Sequence, residues 1–288
     1  MTEPRLHHVQ CLGTGGLHHM AYWEWGDAAN PRVLICVHGL SRQGRDFDAL
    51  AAALSDRYRV VCPDVVGRGH SSRLADPRGY QVPAYVADMV TLVARLAVPK
   101  VHWLGTSMGG LIGLGLASLA ESPVERLVLN DVGPTHEYAA LLRIGSYLGQ
   151  PMSWRTEAEA ADYLLSISKG FGAHTREEWV ALSRPMLRPG GDGFVLHYDP
   201  KIALPFKAVT PEIVAAGEAL TWAAYDRIRC STLLLRGADS DLLSAATAHA
   251  MTLRGPRPEL REFSGVGHAP TLVAPEQIEV VRRFLLAG

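Results

Sequence analysis

Neither sign of charge dominates this chain. Its 28 Lys+Arg stand against 29 Asp+Glu, for a formal net charge of -1 with histidine neutral. A protein without basic excess has little with which to neutralise phosphates, so nucleic acid is not an expected partner. Cysteine is scarce. Cys11, Cys36, Cys62 and Cys230 lie far apart with no CxxC pair. That spacing speaks against a disulfide scaffold, a redox pair or a structural zinc motif. Three of the four sit in or beside apolar runs and read as buried free thiols of a reducing compartment. No window approaches 18 uninterrupted apolar residues, so no membrane span is expected. The opening stretch MTEPRLHHVQCLG lacks the apolar core of a signal peptide, which makes a cytoplasmic location the default expectation. The pairs His7-His8 and His18-His19 are not joined by a carboxylate at ligand spacing, so no metal is expected there. Repeats and low-complexity segments are also missing.

What is present is average bulk with a strong rhythm. The 288 residues are 48% hydrophobic and 20% charged, the balance of a soluble globular protein of one or two domains. Short apolar runs at 33–37 (VLICV), 59–62 (RVVC), 101–104 (VHWL), 126–129 (RLVL) and 232–235 (TLLL) have strand length. Continuous runs of this kind fit strands buried on both faces, as in a parallel sheet. Amphipathic stretches lie between them. Pro83 stands at a first helical position, with Val86, Met89, Val90, Val93 and Leu96 at helical spacing behind it. Residues 276–286 read as a closing helix with Ile278, Val281 and Leu285 inward, and 6–12 with 19–25 as a leading antiparallel hairpin. The expected fold class is α/β, a doubly wound, mostly parallel sheet. From 132 to about 228 the rhythm breaks, with helical pieces predicted at 137–148, 156–168, 175–184 and 219–227 and no convincing buried strand. The expected organisation is a core of 1–133 and 229–288 with a helical insertion, 134–228.

The chemistry is concentrated after the 101–104 run. Gly105-Thr106-Ser107-Met108-Gly109 is a G-x-S-x-G sequence placed between a strand and a helix. A sharp turn there holds a serine hydroxyl above the sheet, with the helix N-terminus beside any developing oxyanion. Serine needs a base to act at neutral pH, and histidine is the side chain whose pKa suits. His268, in Gly265-Val-Gly-His268-Ala-Pro before the last helix, has the best context of the twelve histidines. An acid must orient that imidazole. The run Leu235-Arg-Gly-Ala-Asp239-Ser-Asp241 offers two, in the chain order Ser…Asp…His.

These residues resemble the α/β-hydrolase-fold serine hydrolases over nearly the whole chain. Val37-His38-Gly39-Leu40 is similar to that family's His-Gly segment. Pro63-Asp64-Val-Val-Gly67-Arg68-Gly69-His-Ser71 is similar to its D-x-x-G-x-G-x-S loop, and residues 105–110 and 267–268 resemble its nucleophile and histidine loops. The resemblance implies Ser107 as nucleophile, His268 as general base and the amides of Leu40 and Met108 as the oxyanion hole. It implies a structural His38 and an anchoring Arg68. Many relatives carry the acid three residues after the glycine ending the strand, where this chain has Ser240. That departure leaves Asp241 favoured, because an apolar pair and a capping Ser244 would fix its backbone, with Asp239 and Asp131 as alternatives. No cofactor or metal is implied.

Function class follows from the same residues. Haloalkane and epoxide chemistry would need Asp at position 107, and carbon–carbon hydrolases typically carry Asn where Thr106 stands. The aromatic-rich insertion (Met152, Trp154, Tyr163, Phe171, Trp179, Met186, Phe194, Tyr198, Phe206, Trp222) favours an apolar acyl or aryl group. The expected activity is therefore a carboxylesterase (serine esterase) with a small-molecule ester substrate. Enol-lactone or carbon–carbon bond hydrolysis is the alternative. A ligand-binding sensor with negligible turnover is the reading from another class. A homo-oligomer is left open.

Overall fold

A computed structural model describes residues 3–287. The chain opens with β1 (Arg5–Gly13), β2 (Gly16–Trp25) and β3 (Val33–Val37), then α1 (Asp48–Leu54) and β4 (Arg59–Pro63). α2 (Val82–Leu96), β5 (Val101–Thr106), α3 (Met108–Ala117) and β6 (Val124–Asn130) complete the first half. Outside this layer come α4 (Tyr138–Tyr147), β7 (Ser153–Trp154), α5 (Glu157–Ile167), α6 (Arg176–Ser183), β8 (Leu187–Gly190), β9 (Gly193–Leu196), α7 (Ala203–Lys207) and α8 (Pro211–Tyr225). The chain returns with β10 (Ser231–Gly237), α9 (Ala245–Leu253), β11 (Glu259–Phe263) and α10 (Pro275–Leu286).

Eight strands form one sheet in the order β1-β2-β4-β3-β5-β6-β10-β11. β2 is antiparallel to β1 and β4, and the remaining neighbours are parallel. The apolar runs occupy the interior strands. All five residues of β3 are buried, as are six of seven in β10. Such runs have no polar face to turn to water, and helices cover them on both sides. One core cluster joins Ile35, Trp103 and Leu127 to Met89 and Leu92 of α2 and Ile112 of α3. The other joins Leu34, Leu104 and Leu235 to Leu50 of α1 and Val281 and Leu285 of α10.

Four departures from the sequence expectation stand out. β11 (ELREF) is an edge strand with no buried residue, so no apolar run announces it. In the 134–228 interval, β7, β9 and β8 form a three-stranded antiparallel sheet that was not expected. Its strands are two to four residues long, and β8 and β9 are joined at Gly190-Gly191-Asp192-Gly193, where Gly191 has φ 59°. That joint reads in sequence as a breaker, whereas in the fold it is a hairpin turn. α8 starts at Pro211, capped by the Thr210 hydroxyl, well before the expected 219. On α2 the inward face carries Tyr85, Asp88, Met89, Leu92, Val93 and Leu96, while Val90 is 47% exposed. Asp88 thus takes an inward place where the apolar pattern pointed to Val90.

Candidate active site

Ser107 sits between β5 and α3 with φ 51° and ψ -116°, a left-handed conformation that non-glycine residues seldom adopt. The neighbouring glycines are required by close approach. A Cβ on Gly105 would come within 2.1 Å of the Gly109 carbonyl oxygen, and one on Gly109 within 1.9 Å of the Val37 carbonyl oxygen. The turn is also tied from the side. The Ser107 N–H donates to the Asn130 carbonyl (2.9 Å), and Asn130 Nδ2 donates to Thr106 Oγ1 (2.9 Å) and to the Pro270 carbonyl (2.8 Å). Asn130 thereby links the serine turn to the histidine loop.

His268 faces both ways from that loop. Its Nε2 accepts from Ser107 Oγ at 3.0 Å, and its Nδ1 donates to Asp131 Oδ2 at 2.7 Å. Asp131, fully buried at the end of β6, has φ 55°. Its Oδ1 accepts the Gly237 N–H (2.9 Å), and its Oδ2 also accepts the Ser240 hydroxyl (2.7 Å). A buried carboxylate accepting three hydrogen bonds is satisfied without an adjacent cation.

The acid favoured from sequence is therefore corrected. Asp241 is half exposed, and its two oxygens take Nε and Nη2 of Arg143 at 2.7 and 2.8 Å. Asp239 is exposed too, with its backbone N–H on the Val266 carbonyl. Of the three carboxylates considered, Asp131 is the one that reaches His268. Ser244 does cap α9, as its position suggested, but the turn it anchors aims Ser240, not Asp241, at the buried side. Ser240, marked in the sequence only as a departure from the acid position of relatives, donates to Asp131 instead, and Asn130 was not singled out.

Two residues named for the oxyanion hole, Leu40 and Met108, meet the same buried side chain. Arg68, 1% exposed, donates Nε to the Leu40 carbonyl (2.8 Å), and its Nη2 lies 3.6 Å from Met108 Sδ. Its Nη1 donates to the Val66 carbonyl and the Tyr85 hydroxyl. His38 is fully buried, with Nδ1 on the Gly39 carbonyl (2.7 Å) and Nε2 accepting the Val65 N–H (2.9 Å). Burial drives its pKa down to about 3, so it is a neutral strut.

Ser107 and His268 open into a cavity of about 110 Å³. This is below the range of roughly 300–1,000 Å³ usual for drug-sized ligands. From the insertion, Tyr147, Tyr163, Phe171, Met186 and Tyr198 line it. Trp179 does not. It is buried in the insertion's own core and donates Nε1 to the Ala161 carbonyl. Two guanidinium groups line the cavity, and each is held by a carboxylate: Arg42 by Asp46, Arg143 by Asp241. The cavity wall therefore carries no unpaired cation for a free carboxylate group. The insertion also rests on the histidine loop, where the Gly267 N–H donates to the Gly170 carbonyl at 2.6 Å.

Comparison with known proteins places these features. A family model described as the alpha/beta hydrolase fold matches residues 32–166. The chain is 56% identical over 286 residues to a 3-hydroxybutyrate-oligomer hydrolase of Cupriavidus necator, with 98% of each chain covered. Among solved structures, an alpha/beta hydrolase from Novosphingobium aromaticivorans superposes with a TM-score of 0.85 at 35% identity, covering 99% of both chains. E-2-(acetamidomethylene)succinate hydrolase shares the fold, with a TM-score of 0.82 at 20% identity over 98% of this chain and all of that one.

Proposed function

The chain belongs to the alpha/beta hydrolase family, and on that premise we propose that it is a serine ester hydrolase cleaving short 3-hydroxybutyrate oligomers. The observation that carries this reading is the unbroken row Ser107 Oγ–His268–Asp131 at the wall of a small, largely apolar cavity. The likeness to the oligomer hydrolase of Cupriavidus necator supports the substrate class. The cavity's size suits a four-carbon acyl unit better than a long chain, and its paired guanidinium groups suit an internal ester link of the oligomer better than its terminal carboxylate.

In this mechanism Ser107 attacks the ester carbonyl while His268 takes its proton. Asp131 holds the imidazole in the tautomer with hydrogen on Nδ1 and stabilises the imidazolium that forms. The oxyanion is received by the N–H groups of Leu40 and Met108, the latter at the first turn of α3. His268 then protonates the departing secondary alcohol, the hydroxyl end of the next unit. Water, deprotonated by the same histidine, attacks the acyl-serine and releases the acid. The segment 134–228 acts as the cap that closes the acyl side, over a core of 1–133 and 229–288.

The test is hydrolysis of 3-hydroxybutyrate trimer followed by chromatography of dimer and monomer, beside p-nitrophenyl butyrate. Wild type cleaves both, and Ser107→Ala loses on the order of 10⁴ or more in kcat while staying folded. Activity of Ser107→Ala within tenfold of wild type would overturn the mechanism. Cleavage of the nitrophenyl ester with an untouched trimer would overturn the substrate and leave the mechanism standing.

A further inference from the structure

The hairpin and α2 bring together three side chains that the ester chemistry does not use. Cys11 on β1 and His18 on β2 are direct cross-strand partners, so both point to the same face. Asp88, the inward-turned residue of α2, meets them there. His18 Nε2 lies 3.0 Å from both Asp88 carboxylate oxygens. Cys11, His18 and Asp88 are 1%, 8% and 3% exposed. Their sulfur, nitrogen and oxygen ligand atoms all lie within 4.8 Å of one another, and among the described residues no other such group of three occurs. Nδ1 of His18 is buried with no hydrogen-bond partner, facing Gly13. Beside the group is a cavity of about 580 Å³ whose wall includes Gly13, His18 and Asp88.

Thiolate, imidazole and carboxylate are the donor set of tetrahedral zinc sites with three protein ligands and one open position. Ligand bonds of about 2.0–2.3 Å set such donors roughly 3–4 Å apart, and His18 Nε2 lies 3.0 Å from Asp88 with all three donors within 4.8 Å of one another. One thiolate and one carboxylate also balance a divalent charge, which a buried site requires. We propose that Cys11, His18 and Asp88 form a binding site for a zinc-class divalent ion that clamps the N-terminal hairpin to α2. On binding, the Cys11 S–H proton leaves to solvent and a metal–sulfur bond forms. The imidazole gives its Nε2 lone pair to the ion and carries its proton on Nδ1. A solvent molecule from the adjoining cavity fills the fourth position.

Sequence spacing argues against a metal here, because the carboxylate arrives from 70 residues along the chain. The experiment is a Co²⁺ titration of the full-length protein after chelator treatment and dialysis, followed by absorbance and then by Zn²⁺ displacement. The expected result is one equivalent of Co²⁺ with a thiolate-to-cobalt charge-transfer band, abolished by Zn²⁺. Cys11→Ser loses the band. His18→Gln and Asp88→Asn weaken Zn²⁺ binding by about 100-fold or more, beyond the 10–100-fold typical of outer-shell changes. Asp131→Asn retains the band, separating this site from the His268 pair. The proposal is overturned if folded wild type binds no Co²⁺ above the dialysis control, binds it without a thiolate band, or shows the same band in Cys11→Ser. Because two of those outcomes are read on wild type, a variant that fails to fold does not rescue the proposal.

Discussion

The segments that follow two neighbouring strands, β6 and β10, each carry an aspartate, yet the two differ in almost every physical respect. Asp131 at the end of β6 is fully buried and accepts from His268, Ser240 and Gly237. Asp241, in the turn after β10, is 48% exposed at its side chain and paired with Arg143 of α4. One carboxylate is locked in a dry hydrogen-bond shell. The other is a solvated tether between the insertion and the core. The difference shows that proximity in chain order does not decide which carboxylate meets the imidazole. What chooses it is which side chain the strand end turns inward. At the β10 turn that side chain is Ser240, which donates to Asp131 rather than replacing it.

The sharpest break of this comparison is a pair of isosteric changes. Asp131→Asn is expected to lower kcat by about 10⁴, as the equivalent loss does in serine proteases, because the amide favours the wrong imidazole tautomer. Asp241→Asn should stay within about threefold of wild type. Equal losses, or a reversal, would mean that the buried shell does not define the acid. Circular dichroism on both variants guards against unfolding. A second change tests whether the β10 turn retains a seat for the acid. Ser240 Oγ is 2.7 Å from the same Asp131 oxygen that meets His268. In an Asp131→Asn background, Ser240→Asp should therefore recover about 10²-fold of the lost kcat, read by ester turnover. No recovery would show that position 240 supports the acid without being able to supply it.

A smaller effect separates insertion from core. Of Trp154, Phe171, Trp179 and Phe206, only Phe171 lines the cavity of Ser107 and His268. Phe171→Ala should shift the relative kcat/KM for acetate, butyrate and octanoate esters by about 1–3 kcal/mol toward longer chains. Phe206→Ala should leave those ratios unchanged. The smallest effect is expected for the tether itself. Arg143→Ala should cost about 0.2–1 kcal/mol of stability, the range of exposed pairs, measured by urea denaturation. A larger loss would show that the Arg143–Asp241 pair holds the insertion in place.

Much of the architecture was legible because it is written in local pattern. The runs at 33–37, 59–62, 101–104, 126–129 and 232–235 all lie within interior strands, and α2 starts at Val82, one residue before the expected Pro83. An apolar run needs no partner information to show that it must be buried. β11 and the three short strands β7, β8 and β9 were not legible, because half-exposed segments of two to five residues leave no periodic signature. Ser107 and His268 could be picked out from glycine-rich context, since the turns that hold them constrain their immediate neighbours.

Sequence alone thus determined the class of fold, the serine turn and the histidine loop, because each is encoded by contiguous residues whose backbone demands are visible. Only the tertiary structure decided which carboxylate meets His268, which side chains line the cavity, and that Cys11, His18 and Asp88 meet. Those depend on strand register and on which face of a helix or turn is buried. Asp131 reaches His268 across 137 residues of chain, and His18 reaches Asp88 across 70. A burial choice at Ser240 or Asp88 is settled by the partner on the other side, and that partner exists only once the sheet and its helices have packed.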